Sequence, residues 1–225
     1  AWESVARKLA HEIKNPLTPI QLSIDRLREK YSPQIKNNSI DFEKYLETIN
    51  RQIKDIENLV NEFSNFARMP RPTFKKIKVI DIINRSVEFF KISLKNKINL
   101  KLNNNQSLIN GDAEQLNRVF INLMKNSEEA LLDLIKINPN FKGIIDIEIV
   151  NNNDYIMIKL TDNGPGITDT KKAMTPYFTT KTIGTGLGLP IVNKIINEHS
   201  GDFSIQNRED KNGINIEITL PKINE

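Results

Sequence analysis

The hydrophobic pattern of this chain changes period once, at Arg68-Met-Pro-Arg-Pro72. Two prolines in three residues stop a helix and stiffen the adjoining backbone, because proline lacks a backbone N–H and fixes φ. The chain is therefore read as two parts, 1–67 and 73–225, either side of a linker at 68–72. Its 225 residues suffice for one large or two small domains, each with its own core.

Before the linker the pattern is helical. Val5, Leu9, Ile13, Leu17, Ile20, Ile24 and Leu27 step by threes and fours. A polar stretch from Ser32-Pro33 to Asn37-Asn38-Ser39 interrupts them, and Asp41 is suited to cap a new helix. Phe42, Leu46, Ile49, Ile53, Ile56, Phe63 and Phe66 then resume the period. Two long helices and a short connection make an antiparallel hairpin with one apolar face. Pairing with a second copy covers that face and predicts a dimeric four-helix bundle. After the linker, helical patterns near 80–95, 112–135 and 186–199 mix with strand patterns. These fall near 75–79, 98–103, 144–151, 154–161, 202–207 and 213–220. The expected fold is α+β, a mixed sheet with helices on one face.

Composition removes several classes of chemistry. There is no cysteine, so disulfides, thiolate metal sites and cysteine nucleophiles are excluded, and two histidines cannot build a multi-histidine metal site. The net charge of +4 and pI near 9.1 are spread along the chain. No basic run exceeds two residues and no aromatic platform accompanies one, so the charge describes a solvated surface and not a nucleic-acid stripe. Apolar runs are far shorter than a membrane span. The sequence begins at Ala1 with neither an initiator Met nor a signal-peptide pattern, and it reads as a fragment of a longer chain.

Of the two histidines, His199 closes a helix pattern before Gly201, where a cation suits the helix dipole. His11 lies in Leu9-Ala-His-Glu-Ile-Lys-Asn-Pro16. It is about 200° round a helix from both Leu9 and Ile13, so it points away from their stripe. Glu12 beside it can accept an imidazole proton, and Asn15 lies one turn on. Pro16 deprives the Glu12 carbonyl of its donor, and Pro19 can repeat the disturbance. The apolar period nevertheless continues, predicting a kinked helix that exposes a nucleophilic imidazole.

A second group is Asn122-Leu-Met-Lys-Asn126-Ser-Glu-Glu129. Residues 122, 126 and 129 share a helix face and offer hard oxygen ligands suited to Mg²⁺, while Val119, Leu123, Ala130 and Leu131 can face a core. Two glycine clusters complete the set. Asp162-Asn-Gly164-Pro-Gly166 comes after a strand pattern and places a carboxylate where it can read a base amino group. Gly184-Thr-Gly186-Leu-Gly188 opens a helix whose free N–H groups can hold phosphate. It lacks the Gly-Lys-Ser/Thr of a P-loop. Between the clusters, Pro176-Tyr-Phe-Thr-Thr-Lys181 in a polar stretch reads as a lid with an aromatic latch and a lysine for phosphate charge.

Taken together these motifs resemble the sensor histidine kinases of two-component signalling. His11–Pro19 is similar to that family's H-box, Asn122–Ala130 to its N-box and Asp162–Ile167 to its first glycine box. Pro176–Lys181 resembles its F-box, and Gly184–Leu189 its second glycine box. All five stand in the family's order and span essentially the whole chain. The linker and short lid further resemble the nitrogen-regulation, NtrY-type branch.

The resemblance implies a phosphotransfer and dimerisation hairpin at 1–67 and, at 73–225, the GHKL (Bergerat-type) α/β sandwich that binds ATP. It implies phosphorylation of His11 with Glu12 as general base, and Asn15 orienting water for dephosphorylation of the partner. Asn126 would bind Mg²⁺, and Asp162 would contact adenine. Asn122, Gly164, Gly166, Lys181, Gly184, Gly186 and Gly188 would complete the nucleotide pocket. The implied partner is the receiver domain of a response regulator, with a second copy of the chain and no nucleic acid. The chain would be the cytoplasmic portion of a membrane-anchored bacterial sensor, with the membrane met only through a preceding sensor region. Two departures stand out: Ser127 replaces the usual alanine, a small-for-small change, and Glu129 stands where other branches carry a basic residue. The alternatives are an ATPase or serine kinase on the same nucleotide fold, and a phosphatase-dominant signalling scaffold using the hairpin only to dimerise.

Overall fold

The computed structural model describes residues 2–35, 38–67, 69–93, 97–102, 108–179, 185–209 and 212–223. Arg68 of the linker, Lys181 and Gly184 of the expected pocket, Asn37, Thr180 and Lys211 lie outside the described residues, as do the side chains of Val5 and Phe66. The chain divides into two units, residues 1–70 with 179–187, and residues 71–178 with 188–225.

In the first unit, α1 (Trp2–Tyr31) and α2 (Ser39–Ala67) form the hairpin. Pro16 and Pro19 lie inside α1 without ending it. The helix survives because its buried line continues past them: Ala10, Leu17 and Ile24 on α1 and Leu46, Ile53 and Val60 on α2 are all 6% exposed or less. Ile13 and Phe42 pack against this core. Beyond it, Arg28 Nε donates to Glu43 at 3.0 Å, Ser32 donates to the other Glu43 oxygen, and Gln21 donates to Asn50 at 2.9 Å.

The buried line differs from the expected stripe in one respect. Leu9, Ile20 and Leu27 are more than two-fifths exposed, and small Ala10 occupies the seam beside α2. The seam repeats every seven residues, as it does between paired helices, so side chains three residues further on rotate out of it. Those residues build a second line: Ile20 and Leu27 on α1, Ile49 and Ile56 on α2, again seven apart, and all exposed.

The second unit contains helices α3 (Val79–Ser93), α4 (Ala113–Ile137), α5 (Thr170–Ala173) and α6 (Gly188–Glu198). Its main sheet has strands β2 (Lys97–Leu102), β4 (Ile144–Asn151), β5 (Tyr155–Asp162), β6 (Asp202–Asn207) and β7 (Ile214–Pro221), in the order β2-β4-β5-β7-β6. Only β2 and β4 run parallel. Strict alternation sets the register: Ile147 lies opposite Leu160, and Leu160 opposite Ile216, so their apolar side chains share one face. That face is buried together with Ile83, Leu116, Leu123 and Ile195 of α3, α4 and α6, giving the expected α/β sandwich.

Two elements were not expected. The strand β3 (Leu108–Gly111) pairs with β1 (Lys75–Lys78) in a separate two-stranded ribbon, and α5 forms in the stretch read as lid. Each is four residues long, too short for periodicity to register. Among the described residues, no helix is long and apolar enough to cross a membrane.

Candidate functional site

On α1, His11, Glu12 and Asn15 are all exposed, as expected. Glu12 meets Lys8 one turn earlier at 3.9 Å, a loose pair with both side chains mostly in water. Such a pair contributes little and leaves the carboxylate free to accept a proton.

In the second unit, α4 positions most of the expected site residues. It starts at Asp112, whose extended backbone lets Oδ1 accept from the N–H groups of Glu114 and Gln115, at 3.0 and 3.1 Å. Its Oδ2 accepts from Thr73 N–H at 2.8 Å, tying the residue just past the linker to the helix start. Burial pushes the Asp112 pKa up, but the bonds from Thr73, Gln115 and Glu114 outweigh it, and the value is lowered from 3.8. A lowered carboxylate stabilises the fold above its ordinary pKa, and that contribution is lost as pH falls through the lowered value. Asp112→Ala is expected to cost about 1 kcal/mol at pH 7. Thermal melts taken down to pH 3 should show its deficit against the wild type shrinking.

His199 completes this junction, and in doing so corrects the expectation of a dipole-facing cation. Its Nε2 accepts from Asp112 N–H at 2.9 Å, so Nδ1 carries the proton and donates to Ile195 O at 2.8 Å. Buried against Phe74, the ring is a neutral link between the end of α6 and the start of α4.

Along α4 the side chains face two glycine approaches. A Cβ on Gly188, at the start of α6, would lie 3.4 Å from Asn122 Oδ1 and 3.5 Å from Asn126 Nδ2. Glycine thus lets the α6 N-terminus sit close against both asparagines. Asn122 Nδ2 donates to Arg118 O at 2.8 Å, leaving Oδ1 on the side of Gly188, while the Asn126 amide has no hydrogen-bond partner among the described residues. Two turns along from Asn122, the methyl of Ala130 lies 3.7 Å from where a Cβ on Gly164 would be. Ala130 is therefore half-buried beside the first glycine cluster and not in the core. Glu129 meets Lys125 at 3.9 Å, and its charge, after burial, helps raise the pKa of Glu128.

Asp162 ends β5 and is 2% exposed. Its Oδ1 accepts from Gly164 N–H at 2.9 Å and Ile214 N–H at 3.3 Å, which fixes the carboxylate without occupying Oδ2. Three neighbours, Asn163 inside the glycine cluster and Asn207 and Gly213 outside it, build this corner. Asn163 accepts from Ile144 N–H at 2.8 Å and donates to Lys142 O at 2.9 Å. Asn207 clasps Ile167 through its N–H and its carbonyl, both at 2.7 Å, and so holds the turn in which Gly166 has φ +83°. Gly213, with φ +119°, passes so close that a Cβ would stand 1.9 Å from the Asp162 carbonyl oxygen. Each resembles an ordinary turn residue in sequence, and only its long-range partner marks it.

Gly186 has φ +67° and belongs to the first unit, where neighbouring Thr185 donates to Glu62. In the lid stretch, Asp169 caps α5 through Lys172 N–H at 2.9 Å, and Tyr177 is exposed. Among the described residues no three His, Cys, Asp or Glu side chains converge as a metal cage. An unbonded amide on α4 fits a hard cation that takes its other oxygens from water and phosphate, the habit of Mg²⁺.

The family model for the His Kinase A (phospho-acceptor) domain matches residues 1–72, and that for the histidine kinase-, DNA gyrase B- and HSP90-like ATPase matches 111–224. An NtrY-like protein of Rickettsia conorii is 43% identical over 218 residues, covering 95% of this chain and 35% of the relative. The nitrogen regulation protein NtrY of Azorhizobium caulinodans is 34% identical, with 98% and 29% covered. The chain thus spans about a third of the length of these curated relatives. The structure of the histidine kinase ThkA in complex with the response regulator protein TrrA has a TM-score of 0.67 at 25% identity, covering 98% of this chain and 61% of that one. With a phospho-acceptor hairpin ahead of a gyrase B- and HSP90-like ATPase unit, the chain belongs to the sensor histidine kinases of two-component signalling, among NtrY-like relatives.

Proposed function

We propose that this chain uses ATP to phosphorylate His11 and then passes the phosphoryl group to an aspartate of a response regulator. The observation that carries the reading is the exposed His11-Glu12 pair on an unbroken helix, in a chain with no other exposed histidine. Asp162 Oδ2 accepts from the base amino group, and the close approach of Gly188 to α4 brings free N–H groups of α6 to the phosphates. Gly164 and Gly166 shape the base end; for Gly184, Gly186 and Lys181 a role toward the phosphates is carried by the sequence motif alone. Asn126, with Asn122 beside it, would hold Mg²⁺, which when bound neutralises charge across the phosphate oxygens. An imidazole nitrogen of His11 attacks the γ-phosphorus in line; the N–P bond forms as the bond to ADP breaks, and Glu12 takes the ring proton. Asn15 positions water when the phosphorylated partner is hydrolysed.

The ThkA structure in complex with the response regulator protein TrrA supports a response regulator as the partner. The relatives named as sensor histidine kinases are about three times the length of this chain, which supports its acting within a longer, membrane-anchored sensor. Incubation with labelled ATP and Mg²⁺ tests the assignment: the label should be lost in acid, kept in alkali and transferable to a receiver domain. An acid-stable label would replace this reading with a serine kinase.

We further propose that two copies pair through the second apolar line on the hairpin, Ile20, Leu27, Ile49 and Ile56. Its seven-residue spacing on both helices is what a four-helix bundle needs. Ile49→Glu with Ile56→Glu places charges in that seam and is expected to weaken dimerisation at least about 100-fold. Sedimentation at micromolar concentration should then show a folded monomer.

A further inference from the structure

The hydroxyl of Ser127 occupies the position where the resembling family carries alanine, and it differs from three other helical hydroxyls of this chain. Ser23 donates to Pro19 O at 2.8 Å, Thr48 to Lys44 O at 2.7 Å and Ser86 to Ile82 O at 3.1 Å, each satisfied by the carbonyl one turn back. Ser127 is 1% exposed, yet its Oγ has no hydrogen-bond partner among the described residues. A buried hydroxyl left unpaired is costly, so one that does not take the local carbonyl calls for a partner from outside the chain.

Its surroundings indicate which. Ser127 comes directly after Asn126 on α4 and lies one turn before Ala130, about 60° round the helix from it. Ala130 is the residue that abuts Gly164, and a Cβ on Gly164 would lie 3.0 Å from Asp162 Oδ1. Ser127 thus sits on the border between the core and the corner built around Asp162. The Asp162 side chain accepts hydrogen bonds, and its Oδ1 is already shared by two N–H groups. A purine that gives an amino proton to Oδ2 still presents the adjacent ring nitrogen, and that atom needs a donor.

We infer that Ser127 is a second base-reading residue, donating its hydroxyl proton to the ring N1 of adenine, directly or through one water, beside the amino group read by Asp162. This deepens the nucleotide-pocket reading and rests on it. An acceptor beside a donor complements adenine, which offers N6–H and N1. Against guanine the carboxylate alone discriminates, because O6 would face Oδ2, whereas the hydroxyl can rotate to accept from guanine N1–H.

The test measures Mg²⁺-dependent binding of ATP, 1-deaza-ATP (N1 replaced by C–H) and GTP to the 225-residue chain and to its Ser127→Ala and Asp162→Asn variants. Ser127→Ala should weaken ATP about 5- to 10-fold, the range of one hydrogen bond, while Asp162→Asn should narrow the ATP-over-GTP preference. The wild type should lose a similar factor with 1-deaza-ATP, and the variant should lose nothing more with that analogue, since both changes remove the same bond. Without nucleotide, Ser127→Ala should melt no lower than the wild type. A lower melting temperature would mean that the hydroxyl has a structural partner, and that overturns the inference. Loss of ATP binding in Asp162→Asn with none in Ser127→Ala removes Ser127 alone. Unchanged binding in both removes the pocket reading and this inference with it.

Discussion

His11→Gln is expected to reduce incorporation of label from ATP to background, a loss of at least about 10³-fold, while leaving the fold intact. Covalent phosphotransfer needs a nucleophilic nitrogen whose proton can leave, and a glutamine amide does not supply one. The side chain is exposed on α1, outside the Ala10, Leu17 and Ile24 seam, so the stability change should stay within about 0.5 kcal/mol. ATP binding should also persist, since the proposed pocket lies on other residues. Glu12→Gln keeps the size and removes the base; label should still enter, about 10²-fold more slowly. Its pair with Lys8, at 3.9 Å and well solvated, contributes too little for its loss to confuse the result. Gel assay of acid-labile label, run beside a thermal melt, decides the matter. Label persisting in His11→Gln would sink the assignment, whatever the state of the nucleotide pocket.

Gly213→Ala should destabilise the second unit by about 3 kcal/mol or more, a fall in melting temperature of roughly 10 °C for a unit of this size. Two penalties combine. The backbone at φ +119° is a conformation that side chains rarely adopt, and the new methyl would stand 1.9 Å from the Asp162 carbonyl oxygen. Backbone must move, and what moves is the residue proposed to read the base. ATP binding should therefore fall with stability, even though Gly213 is remote in sequence from every glycine cluster. Gly166→Ala is the control. Its methyl would meet Asn207 Oδ1 at 2.8 Å, the end of a side chain that can swing away, so about 1 kcal/mol is expected. If the two variants melt alike, Asp162 is not held by this crossing.

Much of the fold was legible because two hydrophobic periods are physically distinct. The Ile-rich alternation of β4, β5 and β7 places Ile147, Leu160 and Ile216 on one face. The threes and fours of the hairpin place two helices, but they do not separate its two seams. Leu9, Ile20 and Leu27 fit the helical period as well as Leu17 and Ile24 do, yet they fall outside the buried line. Which of two adjacent apolar lines is buried depends on the partner helix, and a single helix does not carry that information.

The site divides in the same way. His11 with Glu12, the Asn122 and Asn126 row and Asp162 at a strand end derive from local spacing and side-chain chemistry, and so were available from the sequence. Asn163, Asn207, Gly213 and the neutral state of His199 were not. Gly213 meets Asp162 from 51 positions away in the chain, and His199 reaches the Asp112 N–H from 87. The sequence by itself determined two helices, a linker, an α+β unit and the residue types able to move a phosphoryl group. Only the tertiary structure decided which hydrogen bonds hold Asp162 in place and which hydroxyl is left over at Ser127. Periodicity and motif are properties of neighbouring residues, whereas a fixed carboxylate and an unpaired buried hydroxyl depend on chain segments that folding alone brings together.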